Sequence, residues 1–253
     1  MDSTLILLCC IAFVAGFVDA IVGGGGLIQT PAGLILLPNE SVARVIGSLK
    51  IPSFTGTFFA ARQYLKNVKI PLRRMLLFTC IAFVASFTGS YCLTIVSNRY
   101  MKPIIFFVLV LIAIYTFNKK NLGQGNAQKQ LSFSNKKGAF LCLALGFYDG
   151  FIGPGAGSLL VLAFISFLGF DFLQANAHAK VVNLATNLGS ILLFILKGSI
   201  LWGIALPMAF CNAIGGIIGS KMAIQKGNQF IRTVFLIVII ATLCRLGYDV
   251  FLH

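Results

Sequence analysis

The sequence predicts an all-α membrane protein, a polytopic helical bundle of two homologous repeats. Three observations predict it. Charged residues make up 10% of the 253 positions and hydrophobic residues 58%, whereas soluble domains carry about 25% charged residues. Uncharged stretches run from Met75 to Asn98, from Gly150 to Phe170 and from Gly198 to Ser220, each close to the roughly 20 apolar residues a helix needs to cross a bilayer. Finally, Gly16-Phe17-Val18-Asp19-Ala20-Ile21-Val22-Gly23-Gly24-Gly25 recurs as Gly146-Phe147-Tyr148-Asp149-Gly150-Phe151-Ile152-Gly153-Pro154-Gly155, an offset of 130 residues from Asp19 to Asp149. Such self-similarity is the mark of an internal repeat. No period-two alternation is present, which excludes barrel strands. Helices, whose backbone groups pair within the segment, remain.

The elements follow in order. The first repeat spans 1–118, a linker 119–137 and the second repeat 138–253. Each repeat opens with an apolar helix that runs into a glycine cluster, Leu5 to Val22 and Ala139 to Ile152. A short apolar segment follows, Leu27 to Leu37 and Ser158 to Leu168. These two form a glycine-broken helix pair. Next comes a helix with an internal lysine, Val45 to Leu65 and Ala177 to Leu196. Two long spans complete each repeat: Met75 to Ser97 and Pro103 to Phe117, then Leu201 to Ala223 and Gln229 to Phe251. The same offset carries Lys50 to Lys180 and Gly89-Ser90 to Gly219-Ser220. The first run starts with Asp2 rather than a basic region and meets glycines rather than a small-residue cleavage site, so it is read as a retained helix.

The net charge of +14 reflects topology rather than nucleic-acid binding, because Lys and Arg gather in cytoplasmic loops. Arg62, Lys66, Lys69, Arg73 and Arg74 form one such loop, and the Lys-rich linker another. With the linker cytoplasmic, the loop at Arg62 to Arg74 is inside while its counterpart at Lys197, with one basic residue, is outside. That flip is the signature of inverted repeats. Arg99 and Lys102 then fall outside and fit the charge rule less well. The protein is expected in a bacterial cell membrane, multi-pass, with the lipid bilayer as its surroundings. The seven cysteines lie within apolar segments and read as small hydrophobes. No Cys or His spacing suits a metal, and no cofactor is expected. Trp202 suits an interfacial anchor.

The residues able to carry chemistry are few. Asp19 and Asp149, among six acidic residues, stand at matched places inside apolar runs. An ionised carboxylate there needs a cavity, a partner or a proton; capping the backbone of the broken helix is the structural alternative. Lys50, Ser53 and Thr57 share one helical stripe, and Lys180, Asn183 and Asn187 share another at the same offset, following the i, i+3, i+7 rule. Two matched polar stripes read as the lining of a pathway; lysines snorkelling to the interface are the alternative. Gly23, Gly24, Gly25 and Gly26, with Gly153, Pro154 and Gly155, read as helix breaks. Such breaks free backbone N–H groups at the positive end of the next half-helix, which suits an anion; close helix packing is the alternative. His178 is placed at a surface or pathway rim. His178 and His253 are the only histidines, and neither has the partners a nucleophilic or metal-dependent enzyme needs.

The motifs G-F-x-D-A-x-x-G-G-G-G-L, G-F-Y-D-G-F-x-G-P-G-x-G-S, the Ala179 to Ser190 stretch and Arg62-Gln63-Tyr64-Leu65-Lys66 resemble the TauE/SafE sulfite exporter family over almost the whole chain. The resemblance implies a helical secondary transporter that exports a small anion: sulfite, a sulfonate or a related organosulfur anion. Its motif positions fall here on Asp19, Gly23 to Gly26, Lys50, Asp149, Gly153, Pro154, Gly155, Lys180 and Asn183. Where the family reads T-N-K-L-Q-S-S, this chain has Leu49 and Pro52 in place of the Asn and Gln, and His178 replaces a usual Thr. The expected mechanism binds the anion at the glycine breaks, Lys50, Lys180 and the Ser53, Thr57, Asn183 and Asn187 side chains. Protons couple through Asp19 or Asp149, and one repeat rocks against the other. A passive anion channel and a carrier of non-sulfur organic acids are the alternatives.

Overall fold

The computed structural model describes residues 3–97 and 135–251. Eight helices run in order: α1 (Ser3–Val22), α2 (Gly25–Leu36), α3 (Val42–Asn67), α4 (Leu72–Ile95), α5 (Asn135–Phe151), α6 (Ala156–Leu168), α7 (Phe172–Leu196) and α8 (Trp202–Phe251). No strand occurs among the described residues. The expected span Pro103 to Phe117 and most of the linker lie outside them. Four helices are long and apolar enough to cross a membrane: α1, α4, α7 and the Trp202–Phe235 part of α8. α3 has the length, 26 residues, but carries charge. The short helices α2 and α6 have 12 and 13 residues, roughly 18–20 Å at 1.5 Å per residue, well short of a ~30 Å hydrocarbon core.

Local chemistry sets the ends of these helices. Ser41 caps α3, its hydroxyl accepting from Arg44 N at 3.3 Å, and Asp171 caps α7, its carboxylate accepting from Gln174 N at 2.8 Å. Each cap satisfies a first-turn N–H that has no carbonyl four residues back. The apolar runs Leu201 to Ala223 and Gln229 to Phe251 join in one helical stretch, and the backbone departs from helix at Gly227 (φ 70°), between them. Pro52 lies inside α3, where it removes one helical hydrogen bond beside Lys50.

Small residues bring the helices together. α1 packs along α8, and α5 packs along α4. A methyl group on Gly89 would strike the Phe147 carbonyl, and one on Gly219 the Phe17 carbonyl, so both crossings depend on bare backbone. α3 packs on α7 and α8, and α4 on α7. The largest buried cluster holds Tyr64, Phe78, Phe164, Phe172 and Phe235. Leu72, Phe140, Leu196 and Phe210 point outward with about 70% of their area uncovered, a pattern suited to lipid. Trp202 is 46% exposed at the start of α8, as an interfacial anchor should be.

Candidate functional site

Between α1 and α2 the chain turns at Gly23, with φ 75°; between α5 and α6 it turns at Gly153 and Gly155, with φ 89° and 77°. These values lie in the left-handed region, where a side chain is strained. The two turns touch each other. A methyl group on Gly23 would lie 2.6 Å from Ser158 N, and one on Gly26 3.3 Å from Pro154 Cα. The Ser158 hydroxyl donates to Val22 O at 3.1 Å. The N-termini of α2 and α6 therefore meet, each with first-turn N–H groups that lack an intrahelical acceptor and a positive dipole end.

Both internal lysines reach across to the other half of the chain. Lys50 Nζ donates to Asp149 Oδ1 at 2.8 Å and to Asp149 O at 2.7 Å. Lys180 Nζ donates to Asp19 Oδ2 at 2.6 Å and also to Asp19 O. The side chains of the first pair are 7% and 4% exposed; those of the second are 1% and 17% exposed. The two aspartates differ in their remaining partners. Asp149 Oδ2 accepts from Thr186 Oγ1 and from Asn183 Nδ2, the latter at 3.2 Å. Asp19 Oδ2 has Thr57 Oγ1 at 3.3 Å, and that same hydroxyl lies 3.4 Å from Asn183 Oδ1. Asn187 Nδ2 donates to Asn183 Oδ1 at 3.2 Å.

These groups enclose a cavity of about 40 Å³, room for a few waters. Of the residues singled out from sequence, Asp19, Gly23, Gly26, Lys50, Ser53, Asp149, Gly153, Gly155, Asn183 and Asn187 line it. Gly24, Gly25, Thr57, Pro154 and Lys180 each stand next to one of these. Its two lysines and two aspartates sum to zero charge, so the site offers donors without a net field.

The Haemophilus influenzae "Probable membrane transporter protein" is 35% identical over 245 residues, 97% of this chain and 95% of its own length. YfcA of Escherichia coli K12, with the same description, is 33% identical over 242 residues, covering 94% and 88%. The sulfite exporter TauE/SafE family matches residues 8–246. The chain belongs to that family. It is a multi-pass protein of the cell membrane, which agrees with the four helices able to span one. A more distant member, YunE of Bacillus subtilis, is 23% identical over 269 residues. No solved structure matches the chain.

Several readings made from sequence change in detail. Lys50 and Lys180 are buried in ion pairs and do not snorkel. The Asp19 and Asp149 side chains bind lysine rather than capping a helix break; the turn at Gly23 is closed instead by Gly23 N on Asp19 O at 2.7 Å. His178 is not at a rim. It is 4% exposed, its ring centroid lies 4.4 Å from that of Phe170, and Nδ1 lies 2.7 Å from Gln174 O. Sequence reasoning missed Thr186, although it lies three residues after Asn183 on the same helix. It also missed the Gln29–Asn212 link, in which Asn212 Nδ2 donates to Gln29 Oε1 at 2.9 Å and Gln29 Nε2 donates to Leu49 O at 3.0 Å. A lone glutamine within the apolar run of α2 was the available signal.

Proposed function

We propose that the chain exports a small anion, sulfite or a sulfonate, through the cavity between the two helix breaks, with protons taken up at Asp19 or Asp149. One observation carries the reading: two helix N-termini and two lysines converge on one small enclosed space, and each lysine is already neutralised by an aspartate. A bare anion entering a neutral, buried site is costly. Protonating one aspartate releases its lysine, and the anion then takes the carboxylate's place on that ammonium as a charge-assisted acceptor. Proton and anion enter together and the charge of the site is preserved. The small volume suits a compact oxyanion or the sulfonate head of a larger molecule.

The same residues support two inverted repeats. The offset of 130 exchanges Lys50–Asp149 with Lys180–Asp19, and Gly89–Phe147 with Gly219–Phe17. It exchanges the caps Ser41 and Asp171 and the packing of α1 on α8 with that of α5 on α4. We read this as an approximate two-fold relation with its axis in the membrane plane, the cavity near that axis, and the 119–137 linker on the cytoplasmic side. Rocking of one half against the other then exposes the cavity to each side in turn.

The test is flux of sulfite and methanesulfonate in proteoliposomes, with and without a pH gradient. The reading expects saturable flux that responds to the gradient, and at least tenfold loss in Lys180→Ala and Asp149→Asn. Unchanged flux in both variants removes this site. Flux without saturation or gradient dependence points to a passive channel, and a preference for carboxylates points to an organic-acid carrier.

A further inference from the structure

Away from the central cavity, α3 and α8 leave a groove of about 420 Å³ at the end that the charge pattern assigns to the cytoplasm. Its chemistry is graded along its length. Phe59 of α3 and Ile217 of α8 form an apolar wall; Arg62 and Lys66, on the same α3 face, and Lys221 of α8 form the basic end. The spacings Phe59–Arg62–Lys66 and Ile217–Lys221 are those of single helical faces. Gln63 Nε2 donates to Ile217 O at 3.4 Å and Asn67 Nδ2 to Gln63 O at 2.9 Å, so the groove's polar amides are tied within the protein.

The three cations are not so tied. All are exposed, and the ion pairs among the described residues are Arg44–Glu40, Lys50–Asp149 and Lys180–Asp19. The remaining described carboxylate, Asp171, caps α7. Positions 130 residues away carry Leu192 for Arg62 and Tyr91 for Lys221. Lys197, the cation of that region, sits 5.3 Å over the Tyr91 ring. The basic triplet is thus not a by-product of the repeated architecture. Loop lysines that only set topology can stand anywhere in their loop; these three converge, from two helices, on one concave place with an apolar wall.

We infer that this groove binds one anionic phospholipid. Its phosphodiester lies among Arg62, Lys66 and Lys221, and an acyl chain lies along Phe59 and Ile217. Basic pockets between membrane helices on the cytoplasmic side suit such headgroups. An ammonium or guanidinium beside phosphate forms strong charge-assisted hydrogen bonds. The lipid would bridge α3 and α8. The inference stands on this groove alone and does not depend on the transport reading.

The test is lipid retention by native mass spectrometry on full-length protein in detergent at about 0.15 M salt, where weakly held surface charge pairs are screened. The probes are phosphatidylglycerol, phosphatidylcholine and inorganic phosphate. The expected result is one retained phosphatidylglycerol per chain, preferred at least tenfold over phosphatidylcholine and not displaced by millimolar phosphate. The variant R62Q/K66Q/K221Q should lose that preference. The loop variant K69Q/R73Q, also less positive, should keep it. I217W, which fills the apolar end without changing charge, should weaken retention several-fold. Equal loss in the loop variant, no preference in the wild type, or full competition by inorganic phosphate would each overturn the inference.

Discussion

Replacing Lys50 with Met isolates the cross-repeat ion pair. The ammonium supplies two hydrogen bonds, to Asp149 Oδ1 and to Asp149 O, from a side chain 7% exposed. Met fills much of the same volume but leaves the carboxylate without its counter-charge. Breaking a buried pair from one side typically costs about 3–5 kcal/mol. Here the low end applies, near 3 kcal/mol, because Thr186 and Asn183 still serve Asp149 Oδ2. For a chain of this length that corresponds to roughly 6–12 °C in melting midpoint. The companion K50M/D149N variant removes both charges, so it should recover at least half of the loss, and the coupling energy of the cycle should reach about 2 kcal/mol. The assay is thermal unfolding in detergent of the wild type, the two single variants and the double variant. A single-variant loss below about 1 kcal/mol, the range of an exposed pair, would refute the buried-pair argument. So would a double variant as unstable as the sum of its singles.

Other expectations follow from the same geometry. Gly23→Ala and Gly198→Ala both place a methyl group at positive φ, 75° and 62°. Only the first also meets the backbone of α6, while nothing lies within 4 Å of the second. Gly198→Ala should therefore cost about 1–2 kcal/mol and Gly23→Ala about 2–5 kcal/mol once overpacking is added; melting midpoints of the two variants check the order. Asn212→Ala strands Gln29 Oε1 in a buried place and should cost about 1–3 kcal/mol, read by the same melting assay. Thr186→Val removes a hydroxyl from Asp149, while the matched position in the first repeat is Gly56 and offers none to Asp19. It should change the pH profile of anion flux in proteoliposomes while Thr79→Val, an exposed hydroxyl on α4, leaves the profile in place.

Much of the fold is legible because bilayer physics constrains it strongly. A chain that must satisfy its backbone inside hydrocarbon has little choice but helix, so the uncharged runs mark α4, α7 and the first part of α8 to within a few residues. The glycine turns were legible too: Gly23, Gly153 and Gly155 stand at positive φ because only glycine takes that conformation freely. The central residues were legible for a different reason. Asp19, Asp149, Lys50 and Lys180 are costly within apolar helices, and an offset shared by all four marked them as a set. The partners they chose were harder to read. Nothing in the linear pattern distinguishes a lysine that snorkels from one that crosses 99 residues of chain to a carboxylate. His178 shows the same gap, since its burial depends on Phe164 and Phe170 arriving from another segment.

The sequence by itself determined the helical membrane class, the duplication, the positions of the breaks and the identity of the costly polar residues. Each of these is set locally, by hydropathy over some twenty residues, by φ at a glycine, or by similarity at one fixed offset. Only the tertiary structure decided that the two breaks touch, that each lysine neutralises the other repeat's aspartate, and that the cavity they share carries no net charge. Those facts arise from bare glycine crossings that bring α1 to α8 and α5 to α4. Side-chain reach across such crossings depends on helix approach in three dimensions, which the order of residues along the chain does not contain.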